Sequence, residues 1–277
     1  MLTFKEYYDE CRKRYSTKNV DVDIFNEVNL HIFEKDEENY ISTPSNYSSL
    51  IDEISKKISN RIDNNFPAMN EDVGIIQEEM CIKLNDFYDI EEIKILGNHF
   101  ARQLEEKVYN SFSIIDHVHI YRSIHTTKEK SSSWLWHMDN SVNEQLKIMV
   151  YLTDVDHDNG PFTAFVREGK PLKFGSSKVS PENKGESLFP NGRIPNNVIE
   201  HYKSDGYIEY PIKNKKGTYI LFDQNMVHRA TIPKENRHRD VLIFNFRPFH
   251  KNIVDKMEFT NSWKYKGDVK TYPTEII

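Results

Sequence analysis

Only two of the 277 residues are cysteine, Cys11 and Cys81, too few for a disulfide framework and not placed as a metal-binding pair. No apolar run approaches the roughly 20 residues that span a bilayer, so no membrane association is expected. The N-terminus turns charged at once, Met1-Leu2-Thr3-Phe4-Lys5-Glu6, unlike a secretory signal, and the expected setting is a reducing, cytoplasmic one. A surplus of positive charge is missing as well: 37 Lys and Arg against 43 Asp and Glu give a net charge of −6, which leaves no electrostatic footprint for nucleic acid. Lys213, Lys215 and Lys216 do cluster, but they flank Gly217 and read as a solvated turn. The chain also has no internal repeat and no low-complexity tract.

What is present suits a globular protein with a substantial core: 38% apolar and 29% charged residues, with 16 Phe and 15 Tyr that favour strands or an aromatic-walled pocket. The first 110 residues read as a helical N-terminal region. In 45–61, Leu50, Ile51, Ile54 and Ile58 recur at helical spacing, followed by Ile62. Pro67 closes that element. Asn70 could cap a second helix through Ile75, Ile76, Met80 and Leu84, and a third is expected from Ile90 to about Val108, weakened at Gly97.

After Asn110 the texture changes to short apolar or alternating runs between turn residues, at 114–124, 133–139, 146–152, 162–166, 218–222 and 241–246. Asp158-Asn159-Gly160-Pro161 is an emphatic turn among them. So many short strands predict a β-sandwich or barrel over 111–250, with 251–277 as a C-terminal tail. Residues 169–206 form a long insert rich in Gly, Pro, Ser, Asn and Lys with little periodicity, the kind of segment that serves as a functional loop or lid.

The chemistry is carried by His137-Met138-Asp139, by His228 far downstream, and by Arg239 at the head of an apolar strand. Two imidazoles and one carboxylate can hold a non-haem Fe(II) on one face and leave positions open for co-substrate and oxygen. Side chains alternate along a strand, so His137 and Asp139 would point the same way, with Leu135, while Trp134, Trp136 and Met138 face a supporting layer, expected to be the N-terminal helices. On the strand from Arg239, Val241, Ile243 and Asn245 share the arginine's face, and none is an acid that could neutralise it. A buried guanidinium without a partner is costly, so an anionic ligand is its natural complement.

With these residues in view, the segments 133–140, 146–155 and 159–162, then 217–222, His228 and Arg239, resemble the phytanoyl-CoA dioxygenase family. The resemblance covers roughly 110–249. It implies an α+β protein: a double-stranded β-helix (a jelly-roll, cupin-like barrel) with the helical N-terminal region packed on one sheet. It also implies a non-haem Fe(II)- and 2-oxoglutarate-dependent dioxygenase that uses O2, hydroxylates a small-molecule metabolite and releases succinate and CO2. Carried over residue by residue, His137, Asp139 and His228 would be the iron ligands and catalytic residues, and Arg239 would hold the distal carboxylate of 2-oxoglutarate. Three departures stand out. Val166-Arg167-Glu168-Gly169-Lys170 replaces the family's usual Gly-Ser-His turn. Ala230, with Thr231 beside it, stands where a co-substrate-binding serine is common. The wording that marks the ectoine hydroxylase branch after the His-x-Asp pair is absent, while Asp139 itself disfavours a halogenating variant.

Weaker candidates complete the set. Tyr121 could reach into the barrel to touch the co-substrate, Thr231 could supply the missing hydroxyl, and Arg237 is the fallback for Arg239. Asn140 and Arg167 are candidate substrate contacts. Lys170, Lys173, Lys178, Lys184 and Arg193 make the insert basic, which adds the expectation of an anionic substrate beneath it. His117-Val118-His119 lacks the glutamate of a cupin metal site and reads as strand residues. Asp154, Asp156 and Asp158 lack the closing glutamate of a calcium loop and read as a hairpin turn. The competing functions are a cupin-like metal enzyme that never uses 2-oxoglutarate and a non-catalytic jelly-roll ligand-binding module.

Overall fold

The computed structural model describes residues 31–33, 41–65, 75–77, 81–84, 87, 89–109, 113–128, 132–139, 145–174, 189, 192–248, 257–259 and 263–265. Helix α1 spans Tyr47–Asn65 and α2 spans Glu91–Leu104, the latter running on through a π-helical turn at Glu105–Tyr109. Glu91 and Glu92 in the first turn of α2 and Arg102 in its last sit at the ends where the helix dipole favours them. Strands β1 (His31–Phe33), β2 (Ile75–Gln77), β3 (Cys81–Leu84), β4 (Ser113–Ile124), β5 (Leu146–Tyr151), β9 (Tyr219–Asp223) and β11 (His238–Pro248) form a seven-stranded sheet in the order β1-β9-β5-β11-β4-β3-β2. A smaller sheet holds β6 (Phe162–Arg167), β7 (Lys170–Pro171), β8 (Ile208–Ile212) and β10 (His228–Arg229). The pairings are antiparallel throughout. A separate hairpin joins β12 (Met257–Phe259) to β13 (Trp263–Tyr265).

The second helix expected from Asn70 is not there. Ile75–Gln77 and Cys81–Leu84 are strands, β2 paired to β3 and β3 to β4, while Asn70 and Met80 lie outside the described residues. The physical reason is the two-residue period of Cys81-Ile82-Lys83-Leu84. Ile82 and Leu84 turn to the helix-covered side, and the open edge of β4 supplies the backbone partners. Within the insert, the expected irregularity gives way to β7 and to a helix α3 at Asn196–Ser204; residues 175–188 and 190–191 lie outside the described set.

Two layers of core follow from the alternation of the strands. On the outer face of the large sheet, Ile148, Val150, Leu242 and Phe244 meet Ile54, Ile58 and Ile62 of α1 and Ile93, Leu96 and Phe100 of α2. Gly97 lets α2 approach, because a Cβ there would lie 2.7 Å from Ile115 and 2.9 Å from the Phe244 ring. Arg122 ties the layers by a bidentate bond to Asp240, 2.8 Å to each oxygen, and a third contact to Asp63 of α1. Between the sheets, Met149, Tyr151, Ile220, Val241 and Ile243 face Phe162, Ala164, Val166 and Ile212. No helix among the described residues is long and apolar enough to cross a membrane.

Register fixes what looks inward. Partners across an antiparallel ladder share a face, so transverse rows run across the large sheet. Phe222, Lys147, Asn245 and His117 make one row, Ile220, Met149, Ile243 and His119 the next, then Tyr151, Val241, Tyr121 and Lys83, and last Arg239, Ser123 and Cys81. Both ends of this interior are polar, and its middle rows are apolar except at His119, Tyr151, Tyr121 and Lys83.

Candidate metal centre

Residues 132–139 do not form the regular strand the sequence suggests. Ser132–Trp134 is a 3-10 turn, and His137 then makes isolated bridges to Arg193 and to His228, donating to the His228 carbonyl at 3.0 Å and accepting from the His228 N–H at 2.9 Å. That reciprocal pair brings the rings to 4.2 Å between centroids. Asp139 is pinned by its own N–H on the Gln224 carbonyl at 2.8 Å. The tryptophans do not meet the N-terminal helices as expected. Trp136 packs on Phe165, Leu172, Ile194 and Ile199, while Trp134 packs with Cys81, Tyr121 and Ala230, and Leu135 is exposed. The cause is the bend at the 3-10 turn, which breaks strict alternation and lets the insert cover one side of the segment.

His137 Nε2 lies 3.8 Å from Asp139 Oδ1, and His228 Nε2 lies 3.9 Å from Asp139 Oδ2. Donor atoms of all three fall within 4.8 Å of one another, a span one cation closes with small side-chain adjustments. Each imidazole is orientated from behind: His137 Nδ1 sits 2.9 Å from the Leu135 carbonyl and His228 Nδ1 2.9 Å from that of Met226. A carbonyl only accepts, so both Nδ1 atoms carry the proton and both Nε2 lone pairs face the shared space. Burial, then the neighbouring imidazole, pushes His137 down to about 3, and burial also lowers His228. Both rings are therefore neutral near pH 7 and competent as ligands. Burial alone would raise the Asp139 carboxyl, but the Lys147 ammonium 2.6 Å from Oδ2 and the two imidazoles outweigh it and hold the group well below the usual carboxylate range. The donor set suits a divalent transition metal with open coordination positions.

Arg239 lies at the other polar end and is fully buried. Its Nη2 donates to Ser123 Oγ at 3.2 Å, while Nε and Nη1 have no hydrogen-bond partner. Its neighbour in sequence, Asp240, is by contrast fully engaged with Arg122. Tyr121 and Tyr151 line the space between Arg239 and the metal ligands. Burial raises both phenols to about 12, with Arg239 pulling the other way, and Asp139 also bears on Tyr121. Arg237 sits exposed on the opposite side, over a surface cavity of about 410 Å³ bounded by Ile62, Ile82 and Arg122.

Two other candidates have partners elsewhere. Thr231 Oγ1 bonds Thr163 Oγ1 at 3.1 Å, and Thr163 shares the outward side of β6 with Arg229, its ladder partner. Arg167 follows Val166 by one residue and so turns outward, where it donates to the Asp205 carbonyl and stacks over Tyr207. Asn140 lies outside the described residues. The structure adds three side chains the sequence reading passed over as site residues. Ser123 and Lys147 were visible in principle as polar residues on the inward phase of apolar strands. Arg193, read only as part of a basic insert, is bridged through its backbone to His137.

No protein-family model matches the sequence. No curated protein matches it either. Solved structures do. EctD from S. alaskensis with bound Fe superposes with a TM-score of 0.54 at 14% identity, covering 86% of this chain and 78% of that one. The same protein with 2-oxoglutarate and 5-hydroxyectoine gives 0.53 at 14% identity, covering 85% and 76%. The epimerase SnoN in complex with Fe3+, alpha ketoglutarate and nogalamycin RO gives 0.50 at 11% identity, covering 88% and 84%. The chain has the double-stranded β-helix fold. At such identities the likeness speaks for architecture; the chemistry rests on the side chains above.

Proposed function

We propose that the protein is an Fe(II)- and 2-oxoglutarate-dependent oxygenase acting on a small-molecule metabolite, with hydroxylation as the reaction and succinate and CO2 as co-products. The observation that carries this reading is a fully buried guanidinium with two unpartnered nitrogens in the same barrel interior as a His-Asp-His donor set. A dicarboxylate such as 2-oxoglutarate answers both ends at once, one carboxylate to the metal and the other to Arg239. That proteins of this fold have been crystallised with Fe and 2-oxoglutarate supports it.

His137, Asp139 and His228 would hold the iron, which with bound 2-oxoglutarate and O2 supplies the oxidising chemistry. The chain's own contribution is placement. The carbonyls of Leu135 and Met226 fix both imidazole tautomers, and Lys147 orients the Asp139 carboxylate. Arg239, backed by Ser123, anchors the distal carboxylate, and Tyr121 and Tyr151 wall the co-substrate. Phe162 and Phe222, whose rings lie 5.2 and 5.6 Å from that of His228, keep that side of the centre apolar and exclude water.

The test is an anaerobic titration with Fe(II) and 2-oxoglutarate. The weak visible absorption of an iron–keto acid chelate should develop, and air should then release succinate. Metal binding with neither signal would make the protein a metal enzyme of another kind, and no metal binding at all would leave a ligand-binding module.

A further inference from the structure

Besides Arg239, the barrel interior carries basic side chains of which only Lys147 has a place in the proposed chemistry. His117 and His119 share the inward phase of β4, both solvent-exposed, with their rings stacked 5.9 Å apart at an interplanar angle of 5°. Lys147 lies two strands from His117 in the same transverse row, and Lys83 is the ladder partner of Tyr121, the next inward residue after His119. Arg193 arrives from the insert, half-buried and bridged to His137. These groups feel one another: burial, then Lys147, His117 and Lys83, lower His119 to about 4, while Asp139 acts on both His119 and Arg193.

Among the described residues Arg193 is left without a counter-ion. Among the described residues, the carboxylates bearing on this space are Asp139 and Asp223. Lys147 lies 2.6 Å from the first and Lys173 3.3 Å from the second. A dication and a dianionic co-substrate would add no net charge. Arg193 makes no ion pair among the described residues, and removal from water already lowers its proton affinity. A half-buried guanidinium in that position is stabilised by an anion brought from outside.

We propose that Arg193, with the stacked His117–His119 pair, forms a subsite for one anionic group of the substrate, a carboxylate or a phosphate, beside the metal ligands. This rests on the oxygenase reading of the same barrel. Of the insert's basic residues it selects Arg193 over Lys170, which is exposed, and Lys173, which already serves Asp223; Lys178 and Lys184 lie outside the described residues. The His119 imidazole adds hydrogen-bonding capacity without added charge, and the apolar wall of Met149, Ile243, Phe162 and Phe222 suits the uncharged remainder of the molecule.

The experiment is calorimetric titration of inorganic phosphate and, separately, of acetate. Each is run on the metal-free protein and on protein loaded with Mn(II) and 2-oxoglutarate, so that Arg239 is occupied. The stronger of the two anions identifies the group. Its affinity should fall at least tenfold in Arg193→Gln and in His117→Gln/His119→Gln, while 2-oxoglutarate affinity changes less than threefold and melting curves stay cooperative. Wild type that binds neither anion, or binding unchanged in both variants, overturns the proposal. So does binding lost only in Arg239→Ala, which would place the probe in the co-substrate's position. Binding that depends on Arg193 in a protein giving no iron–keto acid absorption sinks the oxygenase reading alone, with the anion site standing.

Discussion

Replacing Arg239 by methionine should change stability and ligand binding in opposite directions. The guanidinium is fully buried, keeps one hydrogen bond to Ser123, and leaves Nε and Nη1 without partners. Substituting a buried, poorly compensated charge with an apolar side chain of similar length is neutral or stabilising by about 1–4 kcal/mol. Ser123 Oγ then loses its donor, which costs back about 1 kcal/mol. The net gain for the ligand-free protein is about 0–3 kcal/mol, which raises Tm by up to roughly 10 °C at 2–4 °C per kcal/mol. Binding moves the other way. A hydrogen bond to a charged group contributes about 1.5–3 kcal/mol, so losing a two-pronged contact to a carboxylate weakens 2-oxoglutarate by about two to four orders of magnitude.

Differential scanning fluorimetry with Mn(II), with and without 2-oxoglutarate, reads both effects on one instrument. Wild type at a hundred times Kd should gain about 2.7 kcal/mol of stability from the ligand, and the variant at most about 0.4 kcal/mol at the same concentration. A variant that is several degrees less stable without ligand, yet still responds fully to 2-oxoglutarate, would refute the reasoning. It would mean that the guanidinium serves the fold and another cation holds the diacid.

Further outcomes follow from the same coordinates. His137→Ala and Asp139→Ala should each abolish succinate release and weaken Mn(II) binding by at least a hundredfold in an electron paramagnetic resonance titration, with the circular dichroism spectrum unchanged. His137 has a folded-state value of about 3 against 6.5 for a free imidazole, so the unfolded chain takes up its proton first. Its contribution is therefore complete above pH 6.5 and drains away as pH falls toward 3, a loss of a few kcal/mol at about 1.4 per unit. Urea midpoints of the metal-free protein should drop across that window, and His137→Gln should flatten the profile. Gly160 has φ +72°, and a Cβ there would lie 2.3 Å from the Thr231 carbonyl oxygen, so Gly160→Ala should cost about 2–4 kcal/mol by chemical denaturation. Gly97→Ala meets only the flexible tip of Ile115 and the edge of a ring, and should cost less than half as much.

The strands that the sequence revealed are those with one face on a core and long enough to show a period. The run 241–246 lies within β11, and the faces assigned to Arg239, Val241, Ile243 and Asn245 are those observed. Short elements escaped. Strands β2 and β3 carry three and four residues, and Ile75, Ile76 and Leu84 fit a helical wheel as readily as a ladder until β4 provides an edge to pair with. Tertiary partners decided there, and no local pattern records them.

The site divides along the same line. His137, Asp139 and His228 were legible because a metal demands particular donor chemistry, which survives even though the segment holding the first two is a bent loop and not a strand. Lys147 was legible in principle and missed, since its inward phase with Met149 and Tyr151 marks a cation placed among apolar neighbours. Arg193 could not have been found by periodicity. Its position depends on one bridge to His137 and on Ile194 N–H reaching the Trp136 carbonyl at 2.9 Å, contacts between segments more than fifty residues apart. The candidate metal ligands thus follow from chemistry that many sequences can write, whereas Arg193 beside them follows from how this chain folds its insert back onto the barrel. Substrate choice would then reside in the insert and in the inward residues of β4, and exchange of Arg193 should alter which molecule is oxidised before it alters whether the iron binds.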